Sequence, residues 1–393
     1  MGPPTYDDVV NFRSLVPVAA VAVLLTACSP DSVEDAVDGK KSIALSANVE
    51  DDAQGVKVDT IVTVDAEHGD LADATLKSAD GKSTVKGRVT GPQWVASERL
   101  EPGTEYTLTA TGTGADGEEG TLERSFRTEK LTLDQQVYPS VAPLKGETVG
   151  VGMPVIVTFD IPVKRKKLFE RNMSISTEKD VEGSWSWISD TVAHYRPKDY
   201  WPANTKVDVN LALNSLPAGN GVYGQQDQRF SFKIGRKVMH EVDVASHRLT
   251  VNIDGRTVRT IPVSNGDSKH QTRRGIKVIM EKFPSVDMDA ATTGVDSEDP
   301  DYYDIEDVKW AMRVTNSGEF LHAAPWSAGS HGSANVSHGC VGMSTANAAW
   351  LYEHTKRGDV VEFVNSPRGL EEQNGWTDWN VDWDDWKAGS ALS

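Results

Sequence analysis

The chain has 393 residues, with 40 Lys and Arg against 58 Asp and Glu, which gives a formal net charge of -18. This acidic balance argues against a nucleic-acid-binding protein, because no surplus of cations is available to replace phosphate counterions. Two cysteines exclude a disulfide-rich scaffold, and an apolar content of 38% excludes a wholly disordered chain. The length predicts several domains of about 100–200 residues each.

An apolar run occupies residues 15–27. It is shorter than the ~20 residues that span a bilayer and is typical of the core of an export signal. The run ends in LTAC at residues 25–28, which resembles a bacterial lipobox and implies lipidation of Cys28. One departure is that Arg13 is the sole cation before the run.

We therefore predict a lipoprotein signal at residues 1–28 and a polar linker at 29–41. The protein would then be anchored by its lipid to the cell membrane and would face the cell wall. A plain buried helix at residues 15–27 is the alternative.

Two stretches, module 1 (residues 42–130) and module 2 (residues 131–235), consist of short β-rich runs between turns. Each closes on a similar sequence, SFRT at 125–128 and SFKI at 231–234, which indicates a weak repeat. Many short strands in units of about 100 residues predict two tandem immunoglobulin-like β-sandwiches. Neither stretch has a titratable cluster that suggests catalysis, so we interpret both as spacer or binding modules.

The pattern changes at residue 236. Asp254-Gly255 between two β-rich runs predicts a hairpin. Ser344 or Thr345 is placed to cap a helix that ends at Gly358, and a last strand follows. We predict a mostly β protein whose third domain, residues 236–367, is a β domain with one short helix.

A Trp-rich tail at residues 368–393 completes the chain. Trp376, Trp379, Trp383 and Trp386 are spaced by 3, 4 and 3 residues, which predicts one helical face. We favour docking of this face on the protein's own surface. Stacking on glycan sugars or on a partner is the alternative.

The sequence SHGCVGM at residues 337–343 carries the strongest chemical signal. If Cys28 is lipidated, Cys340 is the remaining thiol and has no intramolecular partner. A thiol attacks as thiolate and needs a base, for which His322 and His338 are available. Backbone amides around Gly339 would then hold an oxyanion. A buried cysteine with an unrelated loop histidine is the alternative.

His322 together with SHGC at 337–340 resembles the signature of the YkuD-type L,D-transpeptidases, which are cell-wall enzymes with a mostly β catalytic domain. The resemblance covers residues 237–367. The two sandwich modules and the lipobox are similar to those of actinobacterial lipoprotein members. The resemblance implies a cysteine acyltransferase of peptidoglycan biosynthesis, a carbapenem target that needs no cofactor and no metal.

The implied reaction begins when Cys340 attacks a tetrapeptide stem after its third residue and releases D-Ala. The side-chain amine of an acceptor stem then resolves the thioester into a 3→3 cross-link. An L,D-carboxypeptidase that hydrolyses the same intermediate is one alternative. A non-catalytic lipoprotein that binds the cell wall is another.

The resemblance also implies roles for single residues. His322 is the base, oriented by the carbonyl of Ala323. His338, the second histidine of the motif, is also implied to be catalytic and would position the substrate or polarise the loop. The implied substrate contacts are Tyr303, Ser317, Gly318, Ala323, Ser337, Gly339 and Gly342. Gly342 departs from the Arg or Asn common at that position, so the expected change is in substrate preference.

We consider two metal sites as alternative interpretations, one for zinc and one for calcium. Zinc ligation by His322, His331, His338 and Cys340 matches no structural zinc spacing. The acidic run at residues 287–307 lacks the ligand order of an EF-hand loop. We interpret that run as a solvated lid beside the active site.

Overall fold

The computed structural model describes residues 41–299 and 301–393 of the chain. The apolar run and the predicted lipidation site Cys28 lie outside the described residues. In the part of the chain that is described, no helix combines the length and apolarity needed to cross a membrane.

Module 1 is a sandwich of two sheets with strand orders β1-β3-β7-β6 and β2-β9-β8-β4-β5. Burial alternates along its long strands, so that Tyr106, Leu108 and Ala110 of one strand face the same core. All buried members of this core lie in module 1. The strands are β1 Ala44–Ala47, β2 Ala53–Val56, β3 Thr63–Glu67, β4 Gly69–Ser78, β5 Thr84–Val85, β6 Gly87–Thr90, β7 Gln93–Ala96, β8 Glu105–Gly114 and β9 Glu119–Thr128.

Module 2 has two four-stranded sheets, β11-β13-β16-β15 and β12-β20-β17-β14, and a small sheet β10-β19-β18. Its elements are β10 Gln136–Val137, β11 Pro139–Ala142, β12 Thr148–Val149, β13 Val155–Phe159, α1 Lys166–Arg171, β14 Met173–Thr177, β15 Gly183–Trp187, β16 Val192–Pro197, β17 Lys206–Leu211, β18 Pro217–Gly219, β19 Val222–Gly224 and β20 Gln228–Ile234.

The core of module 2 continues into the next domain, because Val278 and Val360 belong to the same buried cluster. Gly150 lies so close to this domain that a Cβ there would be 2.2 Å from the backbone nitrogen of Asp359. Module 2 and the third domain therefore share packing, whereas module 1 has a core of its own.

The third domain pairs a five-stranded sheet, β23-β22-β21-β29-β24, with a four-stranded sheet, β25-β26-β27-β28. The predicted hairpin is present, with Asp254 and Gly255 at positive φ between β22 and β23. The elements are β21 Val238–Asp243, β22 Arg248–Ile253, β23 Arg256–Pro262, β24 Gly275–Val278, β25 Glu281–Asp289, β26 Asp304–Arg313, β27 Phe320–Ala323, β28 Val341–Met343, α2 Thr345–His354 and β29 Val360–Val364.

Helix α2 begins where the sequence predicts, since the Ser344 hydroxyl accepts a bond of 3.3 Å from the Asn347 N–H. It ends at His354, before the predicted end. Thr355, the next residue, is extended and fully buried against His240, so tertiary packing ends the helix early.

The expectation of one helical face through all four tail tryptophans is wrong. A 3-10 turn at Asp378–Asn380 is separated from helix α3, Trp383–Ala388, by the extended residue Val381. The tail nevertheless docks on the protein's own surface, as we favoured. The guanidinium of Arg196 in β16 lies over the rings of Trp379, Trp383 and Trp386 at 5.0, 5.3 and 4.8 Å.

Candidate active site

Strands β27 and β28 bring the predicted nucleophile and base together. They pair in parallel, with Leu321 opposite Val341 and His322 opposite Gly342. Continuing this register places Cys340 opposite Phe320, and the alternation of side chains directs Cys340 to the same sheet face as His322. Cys340 and His322 are therefore diagonal neighbours on that face, at a typical separation of about 7–8 Å between backbones.

The imidazole of His322 is buried and oriented. Its Nδ1 lies 2.8 Å from the carbonyl oxygen of Ala323, which only accepts, so Nδ1 carries the proton and Nε2 has the lone pair. Burial lowers the pKa of His322 to about 4, against the opposing effect of the Ala323 bond. The ring is therefore neutral at physiological pH and its Nε2 is a proton acceptor.

Cys340 as a residue is 8% exposed, and it packs with Met288 and Phe320. Its Sγ donates to the carbonyl oxygen of Gly318 over 3.5 Å. Burial raises the pKa of Cys340 to about 12, although a bond from the Phe320 backbone N–H acts in the opposite direction. We expected a sulfur made anionic by its neighbouring imidazole. The structure instead holds a neutral thiol, so the proton has to leave during attack.

The loop that carries Cys340 is held by hydroxyl groups. Ser337 Oγ donates to the carbonyl of Cys340 at 2.7 Å and accepts from the N–H of Gly339 at 3.1 Å. Thr272 Oγ1 donates to the carbonyl of Gly339 at 2.8 Å. Gly339 has φ +120°, a conformation that residues with a Cβ rarely adopt. Ser337 and Gly339 thus set the loop geometry, and Thr272 is a contributor that sequence reasoning missed.

A buried charged cluster is centred on Glu319, which lies directly before β27. Glu319 is 3% exposed and pairs with Lys277 at 2.5 Å and with Arg273 at 3.2 Å. Burial lowers the pKa of Lys277, and the carboxylate of Glu319 opposes that effect. Sequence reasoning missed these three residues because only the sheet topology brings them together.

The acidic segment predicted as a lid forms the end of the β25–β26 hairpin and lies beside the thiol, where Met288 and Val308 pack with Cys340. The ring of Tyr303 is 5.0 Å from that of His338, which is exposed. Burial raises the pKa of Tyr303 to about 12, so its hydroxyl keeps its proton. His338 thus faces the lid, whereas His322 shares a sheet face with the thiol.

A cavity of about 100 Å³ lies between the lid and β27, and Met288, Tyr303, Arg313, Gly318 and Phe320 are among its lining residues. It opens next to the carbonyl that accepts the thiol hydrogen bond. A larger cleft of about 580 Å³ lies between modules 1 and 2, far along the chain from the thiol.

Two predicted contact residues are engaged elsewhere. Ser317 bonds through Oγ and its backbone N–H to Asn374 of the tail. Gly342 is buried and pairs with Ser264, and a Cβ there would be 2.8 Å from that of Ala324. The structure therefore does not bring Gly342 to the cavity, and a side chain at this position would have to displace Ala324.

The four residues weighed as zinc ligands do not form one cluster. In the described ranges, the group whose ligand atoms converge contains His338 with His270 and Asp301, and it includes neither Cys340, His322 nor His331. His331 bonds to Ser327 instead.

Residues 53–217 match a bacterial Ig domain, and residues 238–363 match the L,D-transpeptidase catalytic domain. The chain is 38% identical over 353 residues to L,D-transpeptidase 2 of Mycobacterium tuberculosis, covering 88% of this chain and 85% of that protein. It is 37% identical over 308 residues to L,D-transpeptidase 5 of the same species, covering 76% and 66%.

Among solved structures, that of LD transpeptidase LdtMt1 in complex with imipenem is similar, with a TM-score of 0.51 and 36% identity over 58% of this chain and 99% of that one. These matches agree with the observed architecture, mostly β, with Ig-like sandwiches before a catalytic domain that has one short helix. The chain belongs to the L,D-transpeptidase family.

Proposed function

We propose that this protein is a peptidoglycan L,D-transpeptidase that forms 3→3 cross-links through a thioester on Cys340. The observation that carries the proposal is the neutral imidazole of His322, fixed through Nδ1 on the strand that pairs with β28, which begins directly after Cys340. Family membership supports the reaction class. The thiol would be the nucleophile, the imidazole the base, and the adjoining cavity the space for the donor stem.

In the first half-reaction, Cys340 attacks the carbonyl of the donor stem's third residue. The thiol proton passes to Nε2 of His322 as the carbon–sulfur bond forms, because the pKa values of about 12 and about 4 disfavour a preformed ion pair. His322 then returns the proton to the amine of D-Ala as the amide bond breaks. The product is a thioester and free D-Ala.

In the second half-reaction, the side-chain amine of an acceptor stem attacks the thioester. It gives its proton to His322, which passes the proton to the departing sulfur of Cys340. The new amide is the cross-link, and the thiol is restored. The 8% exposure of Cys340 shields the thioester from water, which favours transfer to an amine over hydrolysis.

Defined disaccharide-tetrapeptides test the reaction. The purified protein should yield dimers that have lost one D-Ala, identified by mass spectrometry, and Cys340→Ser should yield none, since a hydroxyl is a far weaker nucleophile beside the same base. Tripeptide monomers without dimers would instead identify an L,D-carboxypeptidase. No product of either kind from the parent protein would leave the non-catalytic, wall-binding alternative.

The identity of the nucleophile has a separate test. One covalent imipenem adduct per chain is expected by intact mass, and it should be absent from Cys340→Ala. A Cys340→Ala protein that still gained this mass would refute the assignment.

We also propose that Cys28 is lipidated and anchors the enzyme to the cell membrane, which rests on the LTAC sequence at residues 25–28. Lipid labelling of the protein in a bacterial host should be lost in Cys28→Ala. Labelling that persists in this variant would contradict the proposal.

A further inference from the structure

Three side chains of metal-ligating type, from separate segments, lie close together beside the loop that carries Cys340, which we call the catalytic loop. His270 lies in the connection between β23 and β24, Asp301 in the lid, and His338 two residues before Cys340. One ligand atom from each lies within 4.8 Å of the other two. Two imidazoles and a carboxylate are a donor set that zinc accepts in three-ligand sites, with a further position open to water.

The spacing of two of these ligands already suits an ion. The Nε2 atom of His270 is 3.2 Å from Oδ2 of Asp301. Two ligand atoms at 2.0–2.1 Å from a tetrahedral zinc ion are about 3.3 Å apart. The ring of His338 is exposed and lies 4.6 Å from that of His270, and its ligand atom is within 4.8 Å of the other two, so a small movement of this side chain would complete the site.

A carboxylate behind His270 provides a second, independent observation. Asp267 Oδ1 lies 3.1 Å from Nδ1 of His270 and accepts from the backbone N–H groups of Lys269 and His270, each at 2.8 Å. The carboxylate is thus fixed, and with an ion on Nε2 it would accept the proton of Nδ1. Histidines that ligate zinc typically have such a carboxylate on their other ring nitrogen.

We propose that His270, Asp301 and His338 bind a zinc ion that ties the lid to the catalytic loop and restricts access to Cys340. The ion takes no part in the acyl transfer. Asp301 is two residues from Tyr303, which lines the cavity, so fixing Asp301 fixes the cavity wall. The restriction of access rests on the proposed function, whereas the binding of zinc does not.

Binding is tested by titrating zinc chloride into the full-length Cys28→Ala/Cys340→Ala protein in a calorimeter, so that neither thiol competes. One ion per chain is expected, and His270→Asn and Asp301→Asn should each weaken binding at least tenfold. His68→Asn, at an exposed histidine of module 1, is the matched control and should bind like the parent. Absence of binding, or unchanged binding in both His270→Asn and Asp301→Asn, would overturn the proposal.

The effect on access is tested by the rate of the imipenem adduct on the chain that retains Cys340. Saturating zinc should slow adduct formation several-fold, and Asp301→Asn should be insensitive to zinc. Equal slowing in both proteins would show that zinc acts on the thiol and would refute the role of the lid. A parent protein that forms no adduct even without zinc would refute the proposed function and leave the calorimetric result intact.

Discussion

The Nζ atom of Lys277 lies 2.5 Å from Oε2 of Glu319, and the two side chains are 0% and 4% exposed. Glu319 lies directly before β27, the strand that carries His322, and Lys277 lies in β24. Glu319 also accepts from the backbone N–H of Arg273. A buried ion pair is weak evidence for net stability, but removing one partner leaves the other charge uncompensated. We therefore regard the pair as the element that fixes the start of β27 against β24.

The first prediction concerns this pair. Lys277→Met should lower the free energy of unfolding of the catalytic domain by about 1.5–3 kcal/mol, because Glu319 loses its buried ammonium partner and keeps only Arg273. Urea unfolding followed by tryptophan fluorescence measures the change. Lys269→Met, at an exposed lysine, is the control and should change stability by less than about 0.5 kcal/mol. A similar small change in Lys277→Met would contradict the prediction.

The second prediction concerns the pH dependence of acylation. An ordinary histidine has a pKa of about 6.5, but burial lowers that of His322 to about 4. A lowered pKa keeps the imidazole able to accept a proton at lower pH. The rate of adduct formation with imipenem should therefore be nearly constant from pH 8 to about pH 5 and fall below that. A fall centred near pH 6.5 would show that a different, exposed base acts.

The same assay tests the identity of the base. His322→Ala should slow adduct formation by ~10²–10⁴, the usual contribution of a positioned acid–base group. A near-normal rate in this variant would implicate His338, and the corresponding His338→Ala measurement would then show the larger loss.

The third prediction concerns the tail. Trp386 is 2% exposed, donates through Nε1 to the carbonyl of Ser184 at 3.0 Å, and has the guanidinium of Arg196 over its ring. Trp386→Ala should lower the free energy of unfolding by about 3–5 kcal/mol because it removes a fully packed ring. Trp326→Ala, at a ring that is 55% exposed, is the control for stability. Equal stability of the two variants would show that the docked tail contributes little.

The fourth prediction concerns the two modules. Two side-chain hydrogen bonds cross the junction of modules 1 and 2, from Ser215 to Leu100 and from Asn214 to Glu101. The hydrophobic core of module 1, however, contains buried residues of module 1 alone. Deleting residues 42–130 should therefore leave the rate of imipenem adduct formation within about twofold. Deleting residues 42–235 should abolish soluble, reactive protein, since Val278 and Val360 would lose their packing partners. Loss of reactivity in the shorter deletion would contradict this division.

Local sequence signals predicted much of the fold and the centre of the site. The alternating strands, the hairpin at Asp254-Gly255 and the cap at Ser344 are determined by neighbouring residues and were confirmed. The carboxyl end of α2 and the path of the tail were predicted wrongly, because packing at Thr355 and Arg196 overrides local preference there.

By itself the sequence determined which chemistry is present: an SHGC loop, an upstream histidine and the β-rich segments that carry them. Tertiary structure decided the protonation state of that chemistry, since burial of Cys340 and His322 keeps both neutral. It also assembled Lys277 with Glu319 and His270 with Asp301, pairs far apart in the chain. The burial of a titratable side chain and its pairing with a distant residue both depend on how the strands are arranged in space. The local sequence does not determine that arrangement.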